Sequence, residues 1–197
     1  MLSLIALSLV TPQIALDAGV ALTMDNRHVI HNARILISAS GNIENLGRQS
    51  DVKIPDGYQH LSFPESFVWP GGVDLHSHTQ TGGWGDINDM VHPDNPELRT
   101  LDTIRANNQL HKVGRAGGVT MVNAIPGSGT NISGAGTLVQ LVNSSHVEDV
   151  VYKYPGSVKV AQGYNPERGD DLGASRMGMW WMLRWYLDRA DEIAQAD

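Results

Sequence analysis

Residues 70–79 read Pro-Gly-Gly-Val-Asp-Leu-His-Ser-His-Thr. The Pro-Gly-Gly breaks the chain, and a short apolar-to-polar strand follows it directly. Side chains two apart in a strand point to the same side. His76 and His78 therefore project together from the strand's C-terminal end, where active sites of α/β barrels lie. Two neutral imidazoles at ~2.0–2.1 Å from an ion furnish half of a zinc coordination shell. Asp74 shares that face one step earlier and is read as a partner that orients an imidazole. Taken alone, the His-x-His spacing also fits two unconnected surface histidines.

Working outward, the sequence alternates. Thr103–Ala116 reads as a helix with Ile104, Leu110, Val113 and Ala116 on one face, ended by Gly117-Gly118. Val119–Ile125 is a buried-type strand, Pro126–Gly136 a Gly/Ser-rich loop, and Thr137–Val142 a helix. Ser157–Ala161 is a third strand. Met177–Ile193 is an amphipathic helix, with Met177, Trp180, Leu183, Leu187 and Ala190 on its apolar face. Alternation of this kind predicts parallel βα units over residues 71–197, three of them. Upstream, residues 1–70 read as a small β-rich subdomain, with Ala33–Ile37 as a strand and Gly41, Gly47, Pro55 and Gly57 as punctuation. The apolar run at 1–10 is too short to span a bilayer. No basic residue precedes Arg27, so it reads as a buried first strand or helix, with an export signal as the alternative. The compartment stays open.

Composition narrows the chemistry. Lys and Arg number 14 against 21 Asp and Glu, a net charge of −7 with no basic run, which argues against nucleic-acid or anionic-membrane binding. With no cysteine there are no disulfides, thiolate zinc sites, iron–sulfur clusters or cysteine nucleophiles. The loop Pro126–Thr137 lacks the Gly-Lys-Ser/Thr ending of a phosphate-binding loop. It reads instead as a flexible loop at the mouth of the strand ends, where Ser128, Thr130 and Asn131 meet polar groups of a substrate or simply solvent. Asp86, Asn88 and Asp89 follow the histidine pair and hydrogen-bond metal ligands or substrate, or sit in a solvated loop. His111, beside Leu110, reads as structural. Trp180, Trp181 and Trp185 read as packing or interface anchors.

The segment Pro70–Thr79 resembles the opening of the catalytic barrel in the amidohydrolase superfamily. Gly117-Gly118-Val119-Thr120 and Pro126-Gly127-Ser128 are similar to a subgroup related to imidazolonepropionase and metal-dependent dipeptidases, as are Asp86–Asp89, Arg99–Asp102, Gln162–Arg168 and Ser175–Gly178. The resemblance runs through residues 30–190. It implies an α/β fold: the N-terminal part of a (β/α)8 TIM-type barrel, preceded by a small β-sandwich subdomain of which 1–70 is one piece. It also implies that His76 and His78 hold Zn²⁺ or another divalent ion, and that the reaction is hydrolysis of an amide-type C–N bond in a cyclic amide or peptide-like small molecule. Some subgroup members carry Glu where this chain has Tyr164, so Tyr164 stands at a substrate-facing or ligand position without the carboxylate.

A complete barrel needs ~200–250 residues, and three βα units are fewer than half of one. The remaining ligands of the family, a lysine or glutamate, two histidines and an aspartate that takes the proton, come largely from later strands. The chain ends in Asp-Glu-Ile-Ala-Gln-Ala-Asp straight after a long helix. It is therefore read as the N-terminal fragment, or one chain of a split enzyme, in a tight oligomeric complex with the polypeptide that supplies the rest. Two further readings stand beside this one. Asp-Leu-His-Ser-His-Thr also resembles the first motif of polymerase-and-histidinol-phosphatase phosphoesterases, although about 70 residues precede it here. The other is a catalytically inactive half-barrel that serves as an assembly partner.

Overall fold

The break at 70–72 is where the chain divides, with one unit running up to Pro70 and a second from Gly71. The computed structural model describes residues 11–26, 28–83, 87–167 and 173–196. The apolar run at 1–10 lies outside the described residues, and with it the choice between a buried element and an export signal.

Apolar residues alternating with small or polar ones build four strands in the N-terminal unit. They are β1 (Ile14–Leu22), β2 (Val29–Ile37), β3 (Ile43–Arg48) and β4 (Gln59–Val68), in the order β3-β2-β1-β4. β1 and β2 pair antiparallel, as do β2 and β3, whereas β4 returns parallel to β1. Gly47 does not interrupt the chain, since it sits inside β3. Ala15, Leu36 and Val52 form the core, with Ile54 and Tyr58 packed on it. The described residues give this unit one sheet, not the two layers of a sandwich.

The C-terminal unit is mixed α/β. It holds β5 (Gly72–Ser77), β6 (Val119–Ala124), β7 (Ile132–Gln140) and β8 (Val151–Val160), in the order β5-β6-β7-β8. Three helices accompany them among the described residues: α1 (Gln109–Ala116), the single turn α2 (Val147–Val150) and α3 (Arg176–Ala196). Val122, Ala124, Val139, Leu141 and Val150 form its core with Ile104 and Ala106. β5 and β6 pair parallel through a crossover that contains α1, the long connection a parallel pair requires.

From there the sheet departs from three consecutive parallel βα units. β7 runs antiparallel to β6, and β8 antiparallel to β7. Thr137–Val142 is therefore not a helix; most of it belongs to β7, which begins inside the expected loop. The physical reason is partnership. β-branched Ile132, Thr137 and Val139 suit a pleated surface, and β7 finds hydrogen-bonding neighbours on both sides. The first helix is also shorter than its apolar spacing implies. The Arg105 N–H bonds the Gln80 carbonyl at 3.1 Å, and the Asn108 side chain caps α1 by accepting from the Leu110 N–H at 2.9 Å. Leu110 and Val113 are exposed, and His111 is the buried residue of α1. α3 spans the predicted helix but turns a different face inward. Met179 and Met182 are buried, while Met177, Trp180 and Leu187 are exposed.

Candidate metal centre

Strand geometry carries out what the His-x-His spacing asks. The rings of His76 and His78, at the end of β5 and just past it, lie edge to face with centroids 5.2 Å apart. His78 is fixed from below. Its Nδ1 meets the Ile125 carbonyl at 2.9 Å, so Nδ1 carries the proton and Nε2 keeps its lone pair. Ile125 is itself held by β5, its N–H donating to the Ser77 carbonyl at 3.0 Å. This is the arrangement in which a ligating imidazole has its tautomer set by its other nitrogen.

His76 is held differently. Asp74 accepts from the backbone N–H of His76 at 3.0 Å, so it braces the main chain rather than orienting a ring. The His76 ring is kept below its ordinary pKa by partial burial, then by the Lys159 ammonium and by His78, with Asp74 opposing them. All three favour the neutral ring that a metal needs. Lys159, on β8, is pushed below the usual lysine range by burial. The strand expected at Ser157–Ala161 is part of β8 as far as Val160, and the sequence alone does not single out its lysine. Its only mark there is a charge between Val158 and Val160.

Among the described residues no group of three or more His, Cys, Asp or Glu side chains comes together as a metal site. The donor chemistry of the pair and the tautomer of His78 fit a divalent ion, of which the two rings would be two ligands.

The other site candidates scatter. Asn131 is buried, with every polar group of its side chain engaged. Its Nδ2 donates to the Met179 carbonyl at 3.0 Å, and its Oδ1 accepts from Gln162 Nε2. Thr130 is buried as well, its hydroxyl donating to Ser133 Oγ at 2.9 Å. Both are tied into the fold rather than standing in a solvated loop. Ser128 Oγ accepts from Asn165 Nδ2 at 2.8 Å. Asn88 bonds the backbone of the Gly/Ser loop, by Nδ2 to the Gly127 carbonyl and by Oδ1 from the Gly129 N–H, both at 3.1 Å. Tyr164 is 87% exposed. Asp86 lies outside the described residues. Beside His78 opens a cleft of about 550 Å³, lined also by Thr79, Thr81, Arg105, Asn107 and Asn108.

The fold has a solved counterpart. An amidohydrolase from Thermotoga maritima MSB8 superposes with a TM-score of 0.76 at 26% identity, over 92% of this chain and 49% of that one. At a coarse level the fold is thus amidohydrolase-like, and the chain spans about half the length of that relative. A candidate prolidase from Bifidobacterium longum matches over 36% of this chain and 17% of its own, at 27% identity and a TM-score of 0.33. No family model matches the chain, and no curated protein matches it. No described helix is long and apolar enough to cross a membrane.

Proposed function

We propose that this chain is the N-terminal part of a metal-dependent hydrolase of the amidohydrolase kind, of the imidazolonepropionase- and dipeptidase-like subgroup, acting on an amide-type C–N bond in a cyclic amide or peptide-like small molecule. The observation that carries this reading is the His78 arrangement: a ring 5.2 Å from that of His76, its Nδ1 committed to the Ile125 carbonyl and its Nε2 left as a donor. The likeness to the Thermotoga amidohydrolase supports it. In this reading β5 and β6 are the first two strands of a TIM-type barrel, and the single N-terminal sheet is one layer of a composite sandwich.

A divalent ion such as Zn²⁺ held there supplies a Lewis acid and lowers the pKa of a bound water toward ~7. The chain's own part is to present two neutral imidazoles in fixed orientation and to offer the cleft beside His78 to the substrate. The remaining ligands and the proton-accepting carboxylate come from the polypeptide that completes the barrel, in a tight oligomeric complex. Val73 and Leu75 on β5 and Val158 on β8 are each more than half exposed, apolar surface of the kind such a partner covers.

Metal analysis of the purified chain, with and without the completing polypeptide, tests the proposal. Zinc or a similar ion should be retained by the native protein and lost, by at least ~100-fold in affinity, when His76 and His78 are both replaced by alanine. Hydrolysis of a cyclic amide or dipeptide should require both polypeptides. Unchanged metal content in the double variant removes the assignment. Phosphomonoester hydrolysis in place of amide hydrolysis moves it to the phosphoesterase reading. A metal-free complex with neither activity leaves the inactive half-barrel.

A further inference from the structure

Asn88 does not face outward from its loop. Three hydrogen bonds join residues 87–88 to residues 127–129: the Gly127 N–H to the Ile87 carbonyl at 2.7 Å, Asn88 Nδ2 to the Gly127 carbonyl, and the Gly129 N–H to Asn88 Oδ1. The amide thus donates to a carbonyl and accepts from an N–H at once, which settles which end is oxygen. It behaves as an additional strand residue would, pairing with the backbone on both of its edges. The loop is shaped around it. A methyl group at Gly127 would collide with Asn88 Oδ1, and one at Gly129 would stand 2.9 Å from the same atom. A side chain at 127 would push the Asn88 amide out of this contact. The pinned segment begins two residues after Ile125, whose carbonyl receives Nδ1 of His78.

We propose that Asn88 is a positioning residue for His78: by clamping the loop at 127–129 it fixes the direction of the chain leaving Ile125, holds that carbonyl under the His78 ring, and so selects the Nδ1–H tautomer that leaves Nε2 as the donor nitrogen. The metal consequence rests on the proposed function; the tautomer consequence does not. Carboxamides are well suited to the role. A carboxylate at this position keeps the acceptor for Gly129 and loses the donor to Gly127, and it places a charge against a backbone carbonyl.

The test is the tautomer of His78 in the full, metal-free chain labelled with ¹⁵N-histidine, read by two-bond ¹H–¹⁵N correlations at about pH 8, where unperturbed imidazoles are neutral. The native protein should show Nδ1–H at His78, the less favoured form of a free histidine side chain. Asn88→Ala should shift it toward Nε2–H, and Asn88→Asp should fall between. Zinc affinity, measured with the metal alone, should drop ~10-fold in Asn88→Ala, the low end of the effect of removing an orienting group behind a ligand. Gly127→Ala attacks the same clamp from the loop side and carries the test if Asn88→Ala does not fold. It should displace the tautomer in the native background, and its added effect should vanish where Asn88→Ala has relieved the collision. A folded Asn88→Ala protein with native tautomer and native zinc affinity overturns the proposal, as does an Nε2–H tautomer in the native chain. A native protein that binds no zinc but whose tautomer follows Asn88 keeps this inference and removes the metal reading instead.

Discussion

Asp17 of β1 and His111 of α1 are both nearly removed from solvent, at 4% and 2% exposure, and their polar atoms meet opposite surroundings. Asp17 receives Arg34 on both carboxylate oxygens at 2.7 Å and His60 Nε2 at 2.9 Å, and Arg34 also donates to the Val52 carbonyl at 2.8 Å. Neither ring nitrogen of His111 makes a hydrogen bond of ordinary geometry, although the Ala106 carbonyl acts on the ring. The contrast extends to the units they belong to. All the buried side-chain atoms without a partner among the described residues, in Gln80, His111, Asn123 and Gln162, lie in the C-terminal unit. Each open atom costs about 1–3 kcal/mol. The N-terminal sheet has the satisfied interior of a scaffold. The C-terminal unit carries buried polar atoms that the described residues leave without a partner.

The sharpest way to break this comparison is to open the closed cluster. Arg34→Ala leaves a buried carboxylate without its bidentate partner and should destabilise the protein by about 3–5 kcal/mol in urea denaturation near neutral pH. The Arg34 hydrogen bonds hold Asp17 below its ordinary pKa of 3.8 against the opposing effect of burial, with His60 adding to them. Because the folded value is depressed, the contribution of this cluster is present above pH 3.8 and is lost as pH falls through the folded value. The penalty of Arg34→Ala should therefore shrink in acid. A penalty under 1 kcal/mol at neutral pH would show that the cluster is not the closed network its geometry describes.

A second blow falls on the C-terminal sheet. Gly134 of β7 has φ +105°, and a Cβ there would strike the Leu98 carbonyl. Gly134→Ala should cost about 1–3 kcal/mol from backbone strain, with more from the collision. Because β7 pairs with β8, loss of amide hydrogen-exchange protection should concentrate in these two strands. Uniform loss across both units would mean that the two are less independent than their separate cores imply.

The division at Pro70–Gly72 and the pairing of His76 with His78 were legible because both rest on local rules, a Pro-Gly break and a two-residue period. β7 was not legible. Thr-Leu-Val-Gln-Leu-Val at 137–142 suits a helix or a strand, and the hydrogen bonds from β6 and β8 decide between them, at sequence distances that no local window spans. Asn131 and Thr130 show the same limit. Gly/Ser-rich composition reads as an open loop, yet Met179 and Gln162, far along the chain, enclose Asn131. On α3 the tryptophans dominate any hydrophobic count, while the residues turned inward are Met179 and Met182. Unbranched methionine fills an irregular gap where a rigid indole does not. The role of Asn88 had no local signal beyond a polar residue near the histidines.

The smallest expected effect concerns the open side of the comparison, and its sign is the reverse of the first. Burial holds His111 below its ordinary pKa of 6.5; the nearby Ala106 carbonyl opposes this, and the Arg115 charge on the same helix adds to it. β6, which packs against α1, brings no titratable side chain. Replacing the ring by leucine removes two unpartnered polar atoms at similar volume and should stabilise the protein by about 1 kcal/mol at pH 7. With the folded pKa depressed, the unfolded chain takes up a proton first as pH falls below 6.5. Native stability should then decline from that point until the buried ring itself protonates. His76 titrates in the same direction, so the informative quantity is the difference between the native protein and His111→Leu across this window. That difference should widen in favour of the variant as pH falls from 7 to about 5. If His111→Leu is instead destabilising at pH 7, the ring has a partner in solution, such as a buried water, and the C-terminal unit is more nearly closed than its side chains indicate.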